Sequence, residues 1–251
     1  MKKNLRSQLR YSNNKTDLKL KEMKNLKVLF ITTSHDQLGN SGLKTGVWLE
    51  EVATPYYAFK SAGFNIDIAS IKGGKIPIDP TSELPEWETK RTIQFKNDSI
   101  AMDHFNHSLK LNELLSENYD QVYFPGGHGP MWDFINNEEL TYILNEFIVQ
   151  DKTIGALCHG VAVLIDAKNS KGEPFIKGKE ITSFSNSEEV AVGAQEIVPY
   201  LLETKLKELG GIYSKGDDFA PYINVDGNLV TGQNPASSAD VALQMIDLVT
   251  D

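Results

Sequence analysis

The chain of 251 residues has a single cysteine, Cys158, so it cannot form an internal disulfide, and nothing in it requires an oxidising compartment. It also lacks a run of about 18 apolar residues, the length that a membrane-spanning helix needs. Its formal charge is -9, from 34 acidic and 25 basic residues. This excess of acid disfavours general binding to nucleic acid and docking on anionic lipid. We therefore predict neither a nucleic-acid partner nor a membrane partner.

The first 25 residues are basic and polar, and they lack the apolar core of a secretory signal. No acidic residue precedes Asp17, which leaves a mitochondrial transit peptide as an alternative. We predict that residues 1–25 form a disordered tail and that residues 26–251 form one domain. The default expectation for such a chain is a cytoplasmic location.

Apolar runs alternate with segments of helical spacing after the tail. Residues 72–106 are proline-rich near their start and predict a loop or insertion rather than core. The predicted strands are 26–34, 64–71, 119–129 up to its glycines, 152–158 and 178–185, with a hairpin at 222–232. The predicted helices are 47–63 with a kink or a late restart at Pro55, 107–118, 137–151, 159–167, one from about Pro199 that stops at Gly210 within 196–211, and 237–251. This alternation predicts an α/β fold with a mostly parallel sheet covered on both faces.

The cysteine lies in the stretch GALCHG (155–160), between a predicted strand and a predicted helix. A nucleophile elbow is a sharp turn in that position, and it needs small residues two before and two after the nucleophile. Ala156 and Gly160 meet this need around Cys158. The start of a helix lowers a thiol pKa from about 8.5 to roughly 3.5–7.5. We therefore predict a nucleophile that is ionised at neutral pH, rather than a buried apolar side chain.

A glycine turn, FPGGHG (124–129), follows the preceding predicted strand. The carboxyl ends of parallel strands share one edge of the sheet, so this turn is expected near the elbow. Its backbone N–H groups can stabilise an oxyanion. The alternative for this weak motif is a tight turn that needs positive φ.

The histidines outside the elbow give weaker signals. His104 and His107, with Asp103, have a spacing that suggests a metal patch, but three-residue spacing on a loop is weak evidence and we predict no metal site. His35 and His128 either line the pocket or lie at the surface.

Several segments together resemble a known family. They are VLFITTS (28–34), KTGVWLEE (44–51), TPYYAFKSAGF (54–64), DQVYFPGGHGPMWD (120–133), GALCHG (155–160), GKEITSFSNSEE (178–189) and LVTGQNPASS (229–238). In this order they resemble the ThiJ/PfpI superfamily, with its class I glutamine amidotransferase-like fold, and most of all its heat-shock chaperone and glyoxalase III branch. The resemblance spans roughly residues 26–248. It implies a flavodoxin-like three-layer sandwich around the elbow cysteine.

The resemblance also implies the site residues. It places a catalytic triad at Cys158, His159 and Glu189, a carboxyl that hydrogen-bonds the thiol at Glu51, and oxyanion-hole amides at Gly127 and His159. Val161 stands where the family usually has proline.

Two local questions follow from these positions. Glu50 competes with Glu51, and Glu188 with Glu189, because neighbours on a helix point about 100° apart and only one of each pair can face the thiol. A carboxyl beside a thiolate should keep its proton, since two anions in one pocket repel. Sequence neighbours normally diverge, so the predicted hydrogen bond between Cys158 and the next residue is a loose one.

The implied function is a glyoxalase III that converts a small 2-oxoaldehyde, methylglyoxal, to lactate without a cofactor, with deglycase-like action on glycated groups as an extension. The resemblance also implies a homodimer. One alternative is a stress-responsive holding chaperone that binds unfolded clients through apolar surface in 72–106, including Trp87 and Phe95. Others are a cysteine amidase or peptidase, and a redox sensor based on oxidation of Cys158.

Overall fold

A computed structural model describes residues 26–250, so the predicted basic tail lies outside the described residues. The strands are β1 Lys27–Thr32, β2 Asn65–Ser70, β3 Leu109–Lys110, β4 Gln121–Phe124, β5 Thr153–Leu157, β6 Glu180–Ile181, β7 Ile212–Tyr213, β8 Ile223–Asp226 and β9 Leu229–Gly232. The α-helices are α1 Leu49–Ala62, α2 Lys90–Asn97, α3 Ser99–Asn106, α4 Pro130–Asp133, α5 Glu138–Val149, α6 Asn186–Ala191, α7 Leu202–Glu208 and α8 Ser238–Thr250.

Seven strands form the central sheet in the order β3-β2-β1-β4-β5-β9-β8. Every pair is parallel except β8 with β9, which form the hairpin predicted at the Asp-Gly turn. The prediction of a flavodoxin-like α/β fold is confirmed. From β1 the chain first adds strands on one side and then crosses to β4 on the other, so the topological switch point lies between β1 and β4. Ligands of such sheets bind at the carboxyl ends of the strands near this point.

The core has one apolar layer on each face of the sheet, because successive strand residues point to opposite faces. In β1, Leu29 and Ile31 pack into one layer, whereas Val28 and Phe30 pack into the other. Helix α5 covers the first layer, and helices α1 and α8 cover the second. No helix within residues 26–250 is long and apolar enough to cross a membrane.

The expectation of a loop over residues 72–106 is wrong for its second half. Residues 90–106 form α2 and α3, which begin after the capping side chains of Thr89 and Asp98. Phe95 and Phe105 are fully buried there. This segment is therefore part of the core, and Phe95 does not offer the exposed surface that the chaperone alternative assigned to it.

Four other elements differ from their predicted form. The predicted helix 107–118 is instead β3 and two 3₁₀ turns, because the backbone of Ser108 is engaged in a bridge with Gly74. The predicted strand 178–185 is reduced to β6, which pairs with β7 in a separate small sheet. Its continuation reaches β9 only through a side chain, since the N–H of Thr182 donates to Oγ1 of Thr231. The remaining differences are a 3₁₀ segment, Cys158–Leu164, in place of the helix 159–167, and a shorter helix, α7, within 196–211.

Candidate active site

The elbow has the backbone conformation that the motif predicts. Cys158 directly follows β5 and has φ of 56°, a left-handed conformation that is rare for a non-glycine residue. A Cβ at Gly160 would lie 2.2 Å from the carbonyl oxygen of Phe124, so only glycine fits two residues after the cysteine. The tight turn presses the elbow against the end of β4.

The glycine turn after β4 packs directly on the elbow. A Cβ at Gly126 would lie 2.7 Å from the backbone nitrogen of His159. Gly127 has φ of 82°, and a Cβ there would lie 2.3 Å from the carbonyl oxygen of Gly46 in the segment before α1. The missing side chains therefore let the turn, the elbow and the start of α1 meet.

Helix α1 places the side chain of Glu51 next to the thiol of Cys158. Glu51 is fully buried, and its Oε2 accepts the N–H of Gly126 at 2.7 Å. Its other oxygen, Oε1, is buried with no hydrogen-bond partner among the described residues, and the carboxyl lies close enough to the thiol of Cys158 for each group to shift the pKa of the other. Burial raises the pKa of Glu51 to about 8, so the carboxyl holds its proton at neutral pH and can donate it to sulfur.

Pro55 helps to fix this part of α1. Proline has no N–H, so the carbonyl of Glu51, four residues earlier, has no helical partner. The hydroxyl of Tyr123, on β4, donates to that carbonyl at 2.8 Å. The helix runs through the proline without interruption from Leu49 to Ala62.

The expectation of a low thiol pKa is wrong for this structure. Cys158 is only 3% exposed, and burial raises its pKa well above the usual range, as does the charge of Glu51 when ionised. Hydrogen bonds from the backbone N–H groups of Gly127 and His159 lower the pKa but do not outweigh burial. The 3₁₀ segment after the cysteine is also a weaker dipole than the predicted α-helix.

A carboxylate links two histidines next to the thiol. Nδ1 of His159 lies 3.4 Å from the sulfur of Cys158, and Nε2 of His159 lies 2.7 Å from Oε2 of Glu189. The other oxygen of Glu189 lies 2.7 Å from Nε2 of His128. An ionised carboxylate only accepts hydrogen bonds, so Nε2 of His159 carries the proton and Nδ1 faces the sulfur as an acceptor.

The pKa values of His159 and Glu189 both lie below their usual ranges. Burial lowers the pKa of His159, and the neighbouring His128 lowers it further, so the imidazole is neutral at pH 7. Burial works against ionisation of Glu189, but the two histidines outweigh it and hold its pKa far below the usual range. The site at neutral pH is therefore a thiol, a neutral base and a carboxylate.

His128, His159 and Glu189 also form the group of possible metal ligands found within residues 26–250. Ligand atoms around a tetrahedral zinc ion, at metal distances of about 2.05 Å, are separated by roughly 3.3 Å. The two distances of 2.7 Å are instead those of hydrogen bonds. Asp103 and His107 bond to each other at an exposed position, away from this group.

The structure separates the members of each glutamate pair. Glu51 faces the thiol, whereas Glu50 bonds the hydroxyls of Thr54 and Thr89. Glu189 faces the histidines, whereas Glu188 turns to the other side of α6 and bonds Ser185.

The thiol and the histidines lie at a cavity of about 100 Å³. The residues of the reactive site that line it are Gly127, His128, Cys158 and His159. Its walls are Trp48, Trp87, Phe184, Val192, Phe219, Asn234, Pro235 and Ala236. The sequence left His128 undecided between pocket and surface, and it missed Phe219 and Asn234 as wall residues. His35 does not line the cavity and stacks on Trp132 instead.

Comparisons with known proteins show the family of the chain. The model of the DJ-1/PfpI family matches residues 43–248. The chain belongs to the DJ-1/PfpI family. It is 30% identical to the glutathione-independent glyoxalase HSP31 of Saccharomyces cerevisiae, over 88% of this chain and 96% of that protein.

Two solved structures resemble the fold over most of the chain. The Rapid Encystment Protein 24 kDa of Francisella tularensis is 41% identical with a TM-score of 0.86, covering 89% of this chain and 99% of that one. Glyoxalase III of Candida albicans is 28% identical with a TM-score of 0.84, covering 90% of this chain and 98% of that one.

Proposed function

We propose that this protein is a glutathione-independent glyoxalase that converts methylglyoxal and water to lactate. The observation that carries the proposal is the line of hydrogen-bonded groups from Cys158 through His159 to Glu189 inside a small cavity. Two family members whose names describe glyoxalases match the chain over most of its length. The proposal assigns the nucleophile to Cys158, the base to His159 and its orientation to Glu189.

In the first step, the sulfur of Cys158 attacks the aldehyde carbon. The thiol proton passes to Nδ1 of neutral His159, a C–S bond forms, and the carbonyl electrons move to oxygen. The N–H groups of Gly127 and His159 already donate to the sulfur, so they are within reach of an oxyanion on the adjacent carbon. Return of the proton from the imidazole to this oxygen gives a neutral hemithioacetal.

In the second step, His159 moves a proton between the two carbons. Nδ1 removes the proton from the carbon bonded to sulfur, and the electrons form an enediolate with the neighbouring carbonyl. The proton then returns to that neighbouring carbon, the hydroxyl proton of the hemithioacetal moves to the oxygen of the same neighbouring carbon, and the sulfur-bonded carbon becomes the carbonyl of a thioester. Glu189 stabilises the imidazolium at each transfer through its bond to Nε2.

In the last step, water attacks the thioester and the C–S bond breaks. His159 takes the water proton and returns a proton to the leaving sulfur, so lactate and the free thiol are formed. The overall reaction converts methylglyoxal and water to lactic acid, and it needs no external oxidant or reductant. Glu51 is protonated at neutral pH, so it can donate a hydrogen bond to the sulfur while the C–S bond breaks.

The cavity favours this reaction over the alternatives. Its volume of about 100 Å³ is far below the roughly 300–1,000 Å³ of sites for drug-sized ligands, so it suits a free aldehyde better than a peptide or a glycated protein side chain. Trp87 is 41% exposed, but it lines the cavity and contacts Trp48. Unfolded clients and a homodimer stay predictions.

A direct assay tests the proposal. Chelator-treated protein is mixed with methylglyoxal without glutathione, and lactate is measured together with loss of the dicarbonyl. We expect lactate from the parent and at least a hundredfold loss of kcat in Cys158→Ser, since serine fits the elbow but is a far weaker nucleophile. Equal lactate formation by the parent and Cys158→Ser, or none from the parent, would falsify the proposal.

A further inference from the structure

The cavity has an apolar wall beside the groups that handle the dicarbonyl. Trp48 and Trp87 meet edge to face with ring centroids 5.4 Å apart. Phe184 stacks beside His159, with centroids 4.6 Å apart, and Phe219 lies 6.3 Å from Phe184. The cavity-lining residues within 26–250 include no lysine or arginine. The wall therefore offers apolar contact and no cation for a charged or hydroxyl-rich substituent.

Phe219 is fixed in an uncommon conformation. Its φ of 60° lies in the left-handed region, where a bulky residue needs external support. Its N–H donates to Oε1 of Glu188 at 2.8 Å, and Nδ2 of Asn234 donates to the same oxygen at 2.8 Å. Both donors belong to residues that line the cavity.

Glu188 is itself rigidly held. It is fully buried, and its Oε2 accepts the N–H of Ser185 at 2.9 Å and the hydroxyl of Ser185 at 2.8 Å. The carboxylate of Glu188 thus links the N-cap of α6 to two wall residues, Phe219 and Asn234, from later parts of the chain. Glu189, the proposed catalytic carboxylate, lies on the same helix, so adjacent glutamates hold a catalytic histidine and the cavity wall.

We propose, on the basis of the glyoxalase function above, that the cavity selects 2-oxoaldehydes with an apolar substituent, that Phe219 contacts this substituent, and that Glu188 is the residue that positions Phe219. The two carbonyl groups face Cys158 and His159, so the substituent is left facing the aromatic wall. A hydroxyl on the substituent loses its water there, and the amide of Asn234, the polar residue of the wall, is already bonded to Glu188, Ala220 and Ala236. An apolar pocket discriminates against an added hydroxyl by up to about a hundredfold.

Steady-state kinetics on three substrates test the selection. Methylglyoxal and hydroxypyruvaldehyde differ by one hydroxyl, and phenylglyoxal carries a large apolar group. We expect kcat/KM of the parent to be roughly 10- to 100-fold lower for hydroxypyruvaldehyde than for methylglyoxal. In Phe219→Ala, KM for phenylglyoxal should rise about tenfold, KM for methylglyoxal less than threefold, and kcat for either less than twofold. Phe219→Leu should restore most of the phenylglyoxal KM.

The positioning role of Glu188 has its own variant and control. In Glu188→Leu, no acceptor remains for the N–H of Phe219, so Phe219 loses its anchor and the phenylglyoxal KM should rise with kcat retained. Glu203→Leu is the matched control. Glu203, on α7, is a buried carboxylate that accepts the N–H of Asn186 at the start of α6, but within the described residues it bonds no residue that lines the cavity, so the kinetics of its variant should match the parent.

A second measurement does not depend on turnover. Because Cys158 is the only cysteine, its alkylation is read directly as a mass increase. Phe219→Ala should slow alkylation by phenacyl bromide about fivefold relative to the parent and leave the rate with iodoacetamide unchanged. If the parent turns over no 2-oxoaldehyde but this selectivity is present, the glyoxalase function fails and the recognition stands. If Phe219→Ala changes neither the KM ratio nor the alkylation ratio, the recognition proposal is overturned, even where Glu188→Leu does not fold.

Discussion

Nδ1 of His159 lies 3.4 Å from the sulfur of Cys158, although the two residues are consecutive in the chain. Neighbouring side chains normally point apart, and here they converge because Cys158 is held at positive φ. Gly126 and Gly160 make room for this turn, since any side chain there would overlap the backbone of the adjoining segment. The strain of the elbow therefore creates the contact on which the proposed proton transfer depends.

The first prediction concerns the two bonds to Glu189. Glu189→Gln leaves the shape of the site but removes the charge that fixes and stabilises His159, so we expect kcat for methylglyoxal to fall by about 10²–10⁴. His128→Phe removes only the outer bond to Glu189, and we expect a loss of about tenfold or less. Lactate formation by the two variants, with folding checked by circular dichroism, compares them directly. A larger loss from His128→Phe than from Glu189→Gln would mean that the assigned order of the relay is wrong.

The second prediction concerns the reactivity of the thiol. Burial raises the pKa of Cys158, and the charge of Glu51 raises it further once Glu51 ionises above about pH 8, so alkylation by iodoacetamide should be slow at pH 7 and should keep increasing above pH 9. Glu51→Gln removes the neighbouring negative charge, and the rise should then occur at lower pH. Rates measured by intact mass between pH 6 and pH 10 test this. A parent rate that is already maximal at pH 7 would restore the low thiol pKa predicted from the elbow motif.

The sequence alone predicts the shape of the elbow but not the ionisation of its thiol. The spacing around Cys158 predicts the elbow because the steric demand is local, within two residues on either side. The same motif gives the wrong ionisation state, because the thiol pKa depends on burial and on Glu51, which is 107 positions away along the chain. The choice between Glu50 and Glu51 likewise needs the rotation of α1 against the glycine turn, which no local pattern specifies.

Phe219 was missed for a different reason. It lies in no helix or strand and repeats no pattern, and its place in the cavity is set by a bond to Glu188, 31 positions away. Residues 90–106 were assigned to a loop because the prolines before them dominate the composition, although Thr89 and Asp98 are good helix caps. A capping search through that segment would have found both helices.

The third prediction concerns stability and pH. Glu51 has an ordinary pKa of 4.5 in the unfolded chain and about 8 in the folded protein. Between these values the folded state binds more protons, so the free energy of unfolding decreases as pH rises from about 4.5 to 8, by up to about 1.4 kcal/mol per unit from this group. Urea unfolding at several pH values should show a flatter profile for Glu51→Gln, which has nothing to titrate. Identical slopes for the two proteins would contradict the raised pKa.

The fourth prediction separates backbone strain from crowding at the glycine turn. Gly127→Ala and Gly74→Ala both force alanine to positive φ, of 82° and 76°, which costs about 1–2 kcal/mol. A Cβ at Gly74 meets no atom within 4 Å, whereas one at Gly127 would lie 2.3 Å from the carbonyl oxygen of Gly46 and 2.6 Å from the backbone nitrogen of Trp48.

We expect Gly74→Ala to lose about 1–2 kcal/mol of unfolding free energy and to keep full activity. Gly127→Ala should lose more and should also lose lactate formation, because the turn must move away from α1 and its N–H then no longer reaches the sulfur. Equal losses of stability in the two variants would show that φ alone, rather than the close approach of residues 46–48, requires glycine at this position.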